Sequence, residues 1–241
     1  MSFPDHFSAR AAAYAAFRPR YPAALFDWLA TLAPAGAEVW DCATGSGQAA
    51  VALAERVGRV TATDASAAQV AHAEPHPRVT YAVAPAEASG LADASVDLVT
   101  VAQALHWFDL DAFWREARRV LRPGGAIAVW SYGDAVLEAP ALDAAYRRFY
   151  GDVLGPYWPR ERARIGAAYL TMPFPFAELP APTLDMSVRW HLADLAGYVR
   201  TWSAVTRYVA EHEADPVPLL ERALAPLWGD GARVVRWPLT V

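Results

Sequence analysis

The stretch Glu38-Val39-Trp40-Asp41-Cys42-Ala43-Thr44-Gly45-Ser46-Gly47-Gln48 decides the fold. A short apolar run ends in an acid, a Gly-x-Gly turn follows, and an alanine-rich helical pattern opens at Gln48. Glycines between a strand and a helix let backbone amides approach a ligand with no Cβ in the way. The turn alone does not name the ligand, because Gly45-Ser46-Gly47-Gln48-Ala49-Ala50 also satisfies the permissive G-x-G-x-x-A form of the nicotinamide fingerprint. Asp41 separates the two readings. A carboxylate four residues before Gly45 repels a dinucleotide pyrophosphate, whereas S-adenosylmethionine brings an ammonium and a sulfonium and no phosphate. A loop aspartate that only satisfies backbone amides is the plain structural alternative.

Moving outward, residues 38 to 132 alternate strand and helix patterns, the signature of a parallel sheet covered on both faces. Strands are expected at Val39-Trp40, Val60–Thr63, Val79–Val83, Val96–Val101 and Ala126–Trp130, all apolar enough for burial on both sides. Helices are expected at Gln48–Val57, Ser66–Ala73 and Asp111–Leu121, the last stopped by Arg122-Pro123-Gly124-Gly125. The second strand ends in Asp64, seventeen residues after Gly47, where an acid in an adenosine-binding sheet accepts from ribose hydroxyls. Asp64 and Ser66 also suit a helix N-cap. After the third strand, Glu87 or a nearby amide is placed to read an adenine edge, with a solvated first-turn acid as the alternative.

Flanking segments are less regular. Phe7–Arg18 and Ala23–Leu32 are helix candidates, as a cap or as an ordinary packing layer. Seven prolines between residues 134 and 182 (140, 156, 159, 173, 175, 180, 182) prevent one continuous helix there, although Ala141–Tyr150 keeps helical spacing. That stretch reads as a lid insertion. A strand at Thr183–Trp190, helices at Leu192–Ser203 and Pro218–Leu227, and a strand at Arg233–Val241 close the chain. The expected organisation is a single domain: an N-terminal helical cap over 1–33, a cofactor-binding core over 34–132, a lid over 133–182, and the last strands and helices over 183–241.

Composition excludes several chemistries. All 21 basic residues are arginine, so no lysine is present to form a Schiff base or to serve a P-loop. A net charge of -5 with scattered arginines argues against nucleic acid as a partner. The single cysteine, Cys42, excludes an intrachain disulfide and a cysteine-based zinc cluster. His72 and His76 have i, i+4 spacing, but Pro75 between them breaks the helix that a metal pair needs, and no metal is expected. Apolar runs stop well short of the ~20 residues that span a bilayer. No secretory signal is read, which makes the cytoplasm the expected compartment.

On these residues the chain resembles the class I S-adenosylmethionine-dependent methyltransferases, and within them the type 11 group with trans-aconitate methyltransferase-like enzymes. The resemblance rests on RPRYP at 18–22, DCATGSGQ at 41–48, ATDAS at 62–66, AEASGLADASVDLVTVAQALHWF at 86–108, RVLRPGG at 119–125 and GYVRTWSAV at 197–205. It implies an α/β doubly wound, mostly parallel seven-stranded sheet of order 3-2-1-4-5-7-6, the last strand antiparallel. It also implies that Asp41, Ala43, Gly45 and Gly47 surround the methionine part of S-adenosylmethionine. Asp64 is implied to bind ribose, Ala65 to lie near adenine and Ala86-Glu87 by its edge, Gln103 and Ala104 near the transferred methyl, and Tyr14 and Arg18 to close over the cofactor. Two departures stand out. Ala43 replaces a glycine, which costs little unless the backbone there is left-handed, and Pro85 replaces a frequent aspartate.

Methyl transfer from a sulfonium is an in-line displacement in which the protein mainly holds the acceptor close and aligned. The expected partner is a small-molecule acceptor with a carboxylic acid or hydroxyl oxygen. A hydroxyl must lose a proton and a carboxylate need not. His106, just past the fourth strand, is the candidate base, with a pocket-wall histidine as the alternative. Trp107, Phe149, Tyr157, Trp158 and Trp202 are candidate acceptor-pocket residues, with core packing as their alternative, and Arg147, Arg148, Arg160 and Arg164 are candidate clamps for an acidic acceptor. A non-catalytic S-adenosylmethionine-binding protein and a nicotinamide-dependent oxidoreductase remain the competing functions.

Overall fold

A computed structural model describes Phe17, residues 19–159 and residues 169–241. Five strands and the helices between them build the first half: α1 (Ala23–Thr31), β1 (Glu38–Cys42), α2 (Gln48–Ala54), β2 (Arg59–Asp64), α3 (Ala67–Ala71), β3 (Val79–Val83), β4 (Val96–Ala102), α4 (Leu110–Val120) and β5 (Leu121–Tyr132). The second half adds β6 (Val136–Leu137), α5 (Pro140–Arg148), β7 (Asp185–Trp190), α6 (Leu192–Arg200), α7 (Ser203–His212), α8 (Val217–Trp228) and β8 (Arg233–Thr240).

The sheet order is β3-β2-β1-β4-β5-β8-β6, with β7 on the other side of β8. Strands β1 to β5 pair in parallel, and β8 runs antiparallel to β5 and β7. Two-residue β6 prolongs the line of β5 along β8, where Val136 faces Arg236 and Leu137 faces Val235. Counting β5 and β6 as one interrupted strand gives the expected 3-2-1-4-5-7-6 order. Placing β8 between β5 and β7 pairs both of its edges with protein.

Alternation along the central strands sends side chains to two cores. Val39, Val60, Leu98 and Trp130 meet α1 and α2 through Leu25, Phe26, Leu29 and Leu53. Trp40, Val99 and Val101 meet α4 through Phe113, Trp114 and Ala117. α1 is therefore a sheet-covering layer, whereas Phe7–Arg18 lies outside the described residues apart from Phe17. A third core joins α5, α6, α7 and α8 to β7 and β8 around Tyr146, Trp202, Leu220 and Trp237. Among the described residues no helix is long and apolar enough to cross a membrane.

Three expectations need correction. β3 is not buried on both faces: residues 84–95 form turns instead of a covering helix, and Val83 is 56% exposed. The Arg122–Gly125 stop lies within β5, because Leu121 pairs Val96 and Ala126 pairs Leu98, with a register shift that loops the intervening residues out of the ladder. α7 lies in a stretch where no element was expected beyond Ser203, separated from α6 only by Thr201 and Trp202.

Candidate active site

The site lies at the carboxyl ends of β1, β2 and β4, adjacent strands whose following loops converge there. The turn after β1 takes its shape from three residues in left-handed conformation: Ala43 at φ +56°, Gly45 at φ +57° and Gly47 at φ +83°. A Cβ on Gly45 would meet nothing within 4 Å, so this part of the turn opens outward. A Cβ on Gly47 would strike the Tyr81 hydroxyl, which donates to the Glu74 carbonyl at 2.6 Å. Gly47 is thus required by both φ and contact. The condition under which Ala43 costs little is not met: its Cβ is carried in a left-handed backbone that disfavours L side chains by about 1–2 kcal/mol.

Asp41 is fully buried, and its two oxygens accept hydroxyls from Thr44 at 2.5 Å and Thr100 at 2.7 Å. Burial pushes its pKa up to about 6, with the charge of Asp64 adding in the same direction and the two threonines opposing. The carboxylate is therefore a buried charge directly behind the turn, reaching it through Thr44. Thr100 was not singled out in the sequence; its signal was one hydroxyl in the apolar strand VDLVTVA.

Asp64 braces both loops. One oxygen accepts the Gly45 amide at 2.9 Å and the other the Ser66 amide at 2.8 Å. The helix cap belongs to Ser66, whose hydroxyl accepts from the Gln69 amide. Ala65 is exposed beside it and Ala86 is buried in the loop after β3. The Glu87 carboxylate accepts the Asp109 amide at 3.0 Å, which ties the loop after β3 to the start of α4.

Past β4, Gln103 sits at φ +55°. Its backbone amide donates to the Trp130 carbonyl at 2.9 Å and its side-chain amide to the Tyr132 carbonyl at 3.0 Å. Its Oε1 is buried and accepts no hydrogen bond among the described residues. Ala104 is buried, and a single 3-10 turn over Leu105–Trp107 follows. There His106 is 4% exposed, with Nδ1 2.8 Å from the Tyr169 hydroxyl and the Trp107 ring 4.6 Å away. Tyr169 had no sequence signal, being 63 residues away and flanked by alanines and Leu170.

The expected acceptor-pocket residues divide. Phe149 and Trp202 are buried in the third core, where Trp158 stacks on Tyr150 at 4.7 Å and tilts against Trp202 at 5.2 Å. Trp107 stays with His106. The Tyr157 hydroxyl is engaged by His212 on α7 at 2.5 Å. Arg147 pairs with Asp143 on its own helix and Arg148 reaches the Ala144 carbonyl, so neither is a clamp in this arrangement. Tyr14, Arg18, Arg160 and Arg164 lie outside the described residues.

Comparison with known proteins identifies this arrangement. The methyltransferase-domain family profile matches residues 40–129. A protein of Dictyostelium discoideum named as a methyltransferase is 31% identical over 225 residues, covering 92% of this chain and 86% of that one. The chain belongs to the class I S-adenosylmethionine-dependent methyltransferases. A solved structure from Anaeromyxobacter dehalogenans, described as a type II methyltransferase, superposes with a TM-score of 0.86 at 50% identity, covering 93% of this chain and 96% of that one. A Mycobacterium tuberculosis methyltransferase is 35% identical over 173 residues, 70% of this chain and 65% of its own. The cofactor of this methyltransferase is S-adenosylmethionine, and the residues present fit it: an outward-opening turn with a buried carboxylate behind it suits a cationic ligand.

Proposed function

We propose that this methyltransferase moves the methyl group of S-adenosylmethionine to an oxygen of a small-molecule acceptor, a carboxylate or a hydroxyl. The observation that carries this reading is Gln103. A left-handed backbone and a buried, unpartnered Oε1 are both costly, the second by about 1–3 kcal/mol, and such costs gather where a ligand completes the site. Bound S-adenosylmethionine supplies a methyl group activated by sulfonium.

The chain's own residues do the rest. The Ala43–Gly47 turn and Asp41 hold the methionine end, Asp64 and Ala65 the ribose side, and Ala86 and Glu87 the adenine edge. Gln103 and Ala104 lie toward the transferred methyl, with Tyr14 and Arg18 as closing residues. Trp107 and His106 border the acceptor, and Trp158 offers it an aromatic face backed by the core residues Phe149 and Trp202. Residues 133–182 serve as a lid over the core of 34–132, and residues 1–33 as a cap apart from α1, which covers the sheet.

Calorimetric titration with S-adenosylmethionine, S-adenosylhomocysteine and NAD, followed by transfer of a labelled methyl group to a panel of carboxylic acids, phenols, alcohols and amines, tests the proposal. Cofactor binding with methylation of an oxygen acceptor is expected. Binding without turnover on any acceptor would make the chain a binder only, and methylation confined to amines would overturn the choice of oxygen.

A further inference from the structure

Glycines let the turn after β1 take its shape but do not hold it there, because glycine has the widest choice of backbone conformation of any residue. A turn that receives a ligand binds best when its neighbours already keep it in one conformation, since ordering it on binding costs affinity. Asp64 does this for Gly45 from the end of β2. The Ser46–Gly47 half is held from β3. The Ser46 carbonyl accepts the Glu74 amide at 3.0 Å, and the Glu74 carbonyl accepts the Tyr81 hydroxyl at 2.6 Å. The same hydroxyl lies against Gly47, in the space that a Cβ there would take.

The linker that carries Glu74 is itself fixed. Pro75 and Pro77 set the backbone on either side of His76. His76 Nε2 is 2.6 Å from the Glu55 carboxylate at the end of α2, and the His76 carbonyl accepts the Val79 amide at 3.0 Å. Because α2 is the helix that leaves the turn, the linker is tied to both ends of that helix. Burial, with the charges of Asp41 and Glu74 adding to it, pushes the Tyr81 phenol up to about 12, so the hydroxyl keeps the proton that it donates. Phenylalanine would fill the same ring space on β3; only the hydroxyl makes the link to Glu74. Building on the reading in which Ala43–Gly47 seats the methionine end of S-adenosylmethionine, we infer that Tyr81 is a positioning residue for the cofactor. Its phenol holds the Glu74 peptide against Ser46, bounds Gly47, and so keeps the second half of the turn in its binding shape.

The test is calorimetry of the full chain and of Tyr81→Phe with two ligands, S-adenosylhomocysteine and methylthioadenosine, the second of which lacks the amino-acid end. Tyr81→Phe should raise the Kd for S-adenosylhomocysteine about three- to tenfold, as expected for one lost hydrogen bond, and leave that for methylthioadenosine unchanged. Unchanged affinity for S-adenosylhomocysteine overturns the role of Tyr81 while the turn keeps its ligand. Equal weakening of both ligands overturns the reading of the turn as the methionine seat, and the inference with it. Hydrogen exchange of the wild-type Glu74 amide gives a second measurement that needs no variant. S-adenosylhomocysteine should slow it, because ligand and linker favour the same turn conformation. An exchange rate unmoved by bound ligand overturns the inference even if Tyr81→Phe does not fold.

Discussion

The Asp64 carboxylate accepts the Gly45 amide at 2.9 Å, so the end of β2 holds the glycine turn that follows β1. Its second oxygen accepts the Ser66 amide. Asp64→Ala should therefore weaken S-adenosylmethionine binding by about 1–3 kcal/mol and lower Tm by a few degrees, because a ligand group and a brace are lost together. Asp64→Asn keeps one acceptor oxygen and should lose affinity with a smaller drop in Tm. Calorimetry and thermal denaturation of the two variants check this; a fall in Tm with unchanged affinity would reduce Asp64 to a brace.

Asp41 makes stability depend on pH in an unusual direction. Its pKa is raised from 3.8 to about 6 in the folded chain. The folded state therefore holds a proton that the unfolded state releases between those values. Stability from this group is fully present below pH 3.8 and is lost as pH rises through 6, a change of ~3 kcal/mol. Asp41→Asn should be more stable than wild type at pH 7 and lose that advantage near pH 4. It should also bind S-adenosylmethionine at least tenfold more weakly at pH 7, since the buried charge behind the turn is gone. Urea denaturation across this pH range, with calorimetry at pH 7, checks both halves.

Ala43 carries a Cβ at φ +56°. Glycine relieves that conformation but adds freedom to the unfolded chain, so Ala43→Gly should stabilise by about 0.5–1 kcal/mol. Cofactor affinity should change little, because the other left-handed positions already fix the turn. Thermal denaturation measures the gain, and a loss of stability would show that the Ala43 methyl contributes packing that outweighs the strain.

Glu116 anchors the loop that carries Ala86 and Glu87. It is buried, accepts both the amide and the hydroxyl of Ser89, and pairs with Arg119 at 2.7 Å. The Arg119 hydrogen bonds, opposed by burial and helped by Ser89, hold its pKa at about 2. This stability is present above pH 4.5 and is lost as pH falls through 2. Glu116→Gln should cost about 1.5–3 kcal/mol near neutral pH and raise hydrogen exchange of the Ser89 amide. Exchange at Ser89 equal to wild type would remove Glu116 from the support of this loop.

Which parts were legible follows from the range of the interactions. The turn and Asp64 are set by local backbone geometry and a strand spacing of fixed length, so their residue types sit at readable positions. The left-handed state of Ala43 leaves no mark in the residue itself, and only the glycine that it replaces in the family pattern pointed to it. β3 looked like an interior strand since Val79–Val83 is apolar, while its exposure depends on residues 84–95 making turns. α7 was hidden by three β-branched residues, Val205, Thr206 and Val209, and by its closeness to α6. Thr100 and Tyr169 are joined to Asp41 and His106 only by tertiary folding, across 59 and 63 residues.

The role of His106 can be separated by substitutions that differ in donor and base capacity. Glutamine offers an N–H donor at about the reach of Nε2 but takes no proton, whereas alanine offers neither. With an oxygen acceptor found in the panel, a donor role would lower kcat about tenfold in His106→Ala and let His106→Gln recover most of that loss, since one donor is worth ~1–1.5 kcal/mol. A general base would behave differently: both variants would fall by about 10²–10⁴-fold, because neither accepts a proton. Tyr169→Phe should lower kcat with S-adenosylmethionine affinity unchanged, as it alters the orientation of the imidazole and not the turn. Steady-state kinetics of the three variants on one acceptor therefore measures whether the imidazole gives a hydrogen bond or takes a proton. Equal, large losses in glutamine and alanine would assign it to the base.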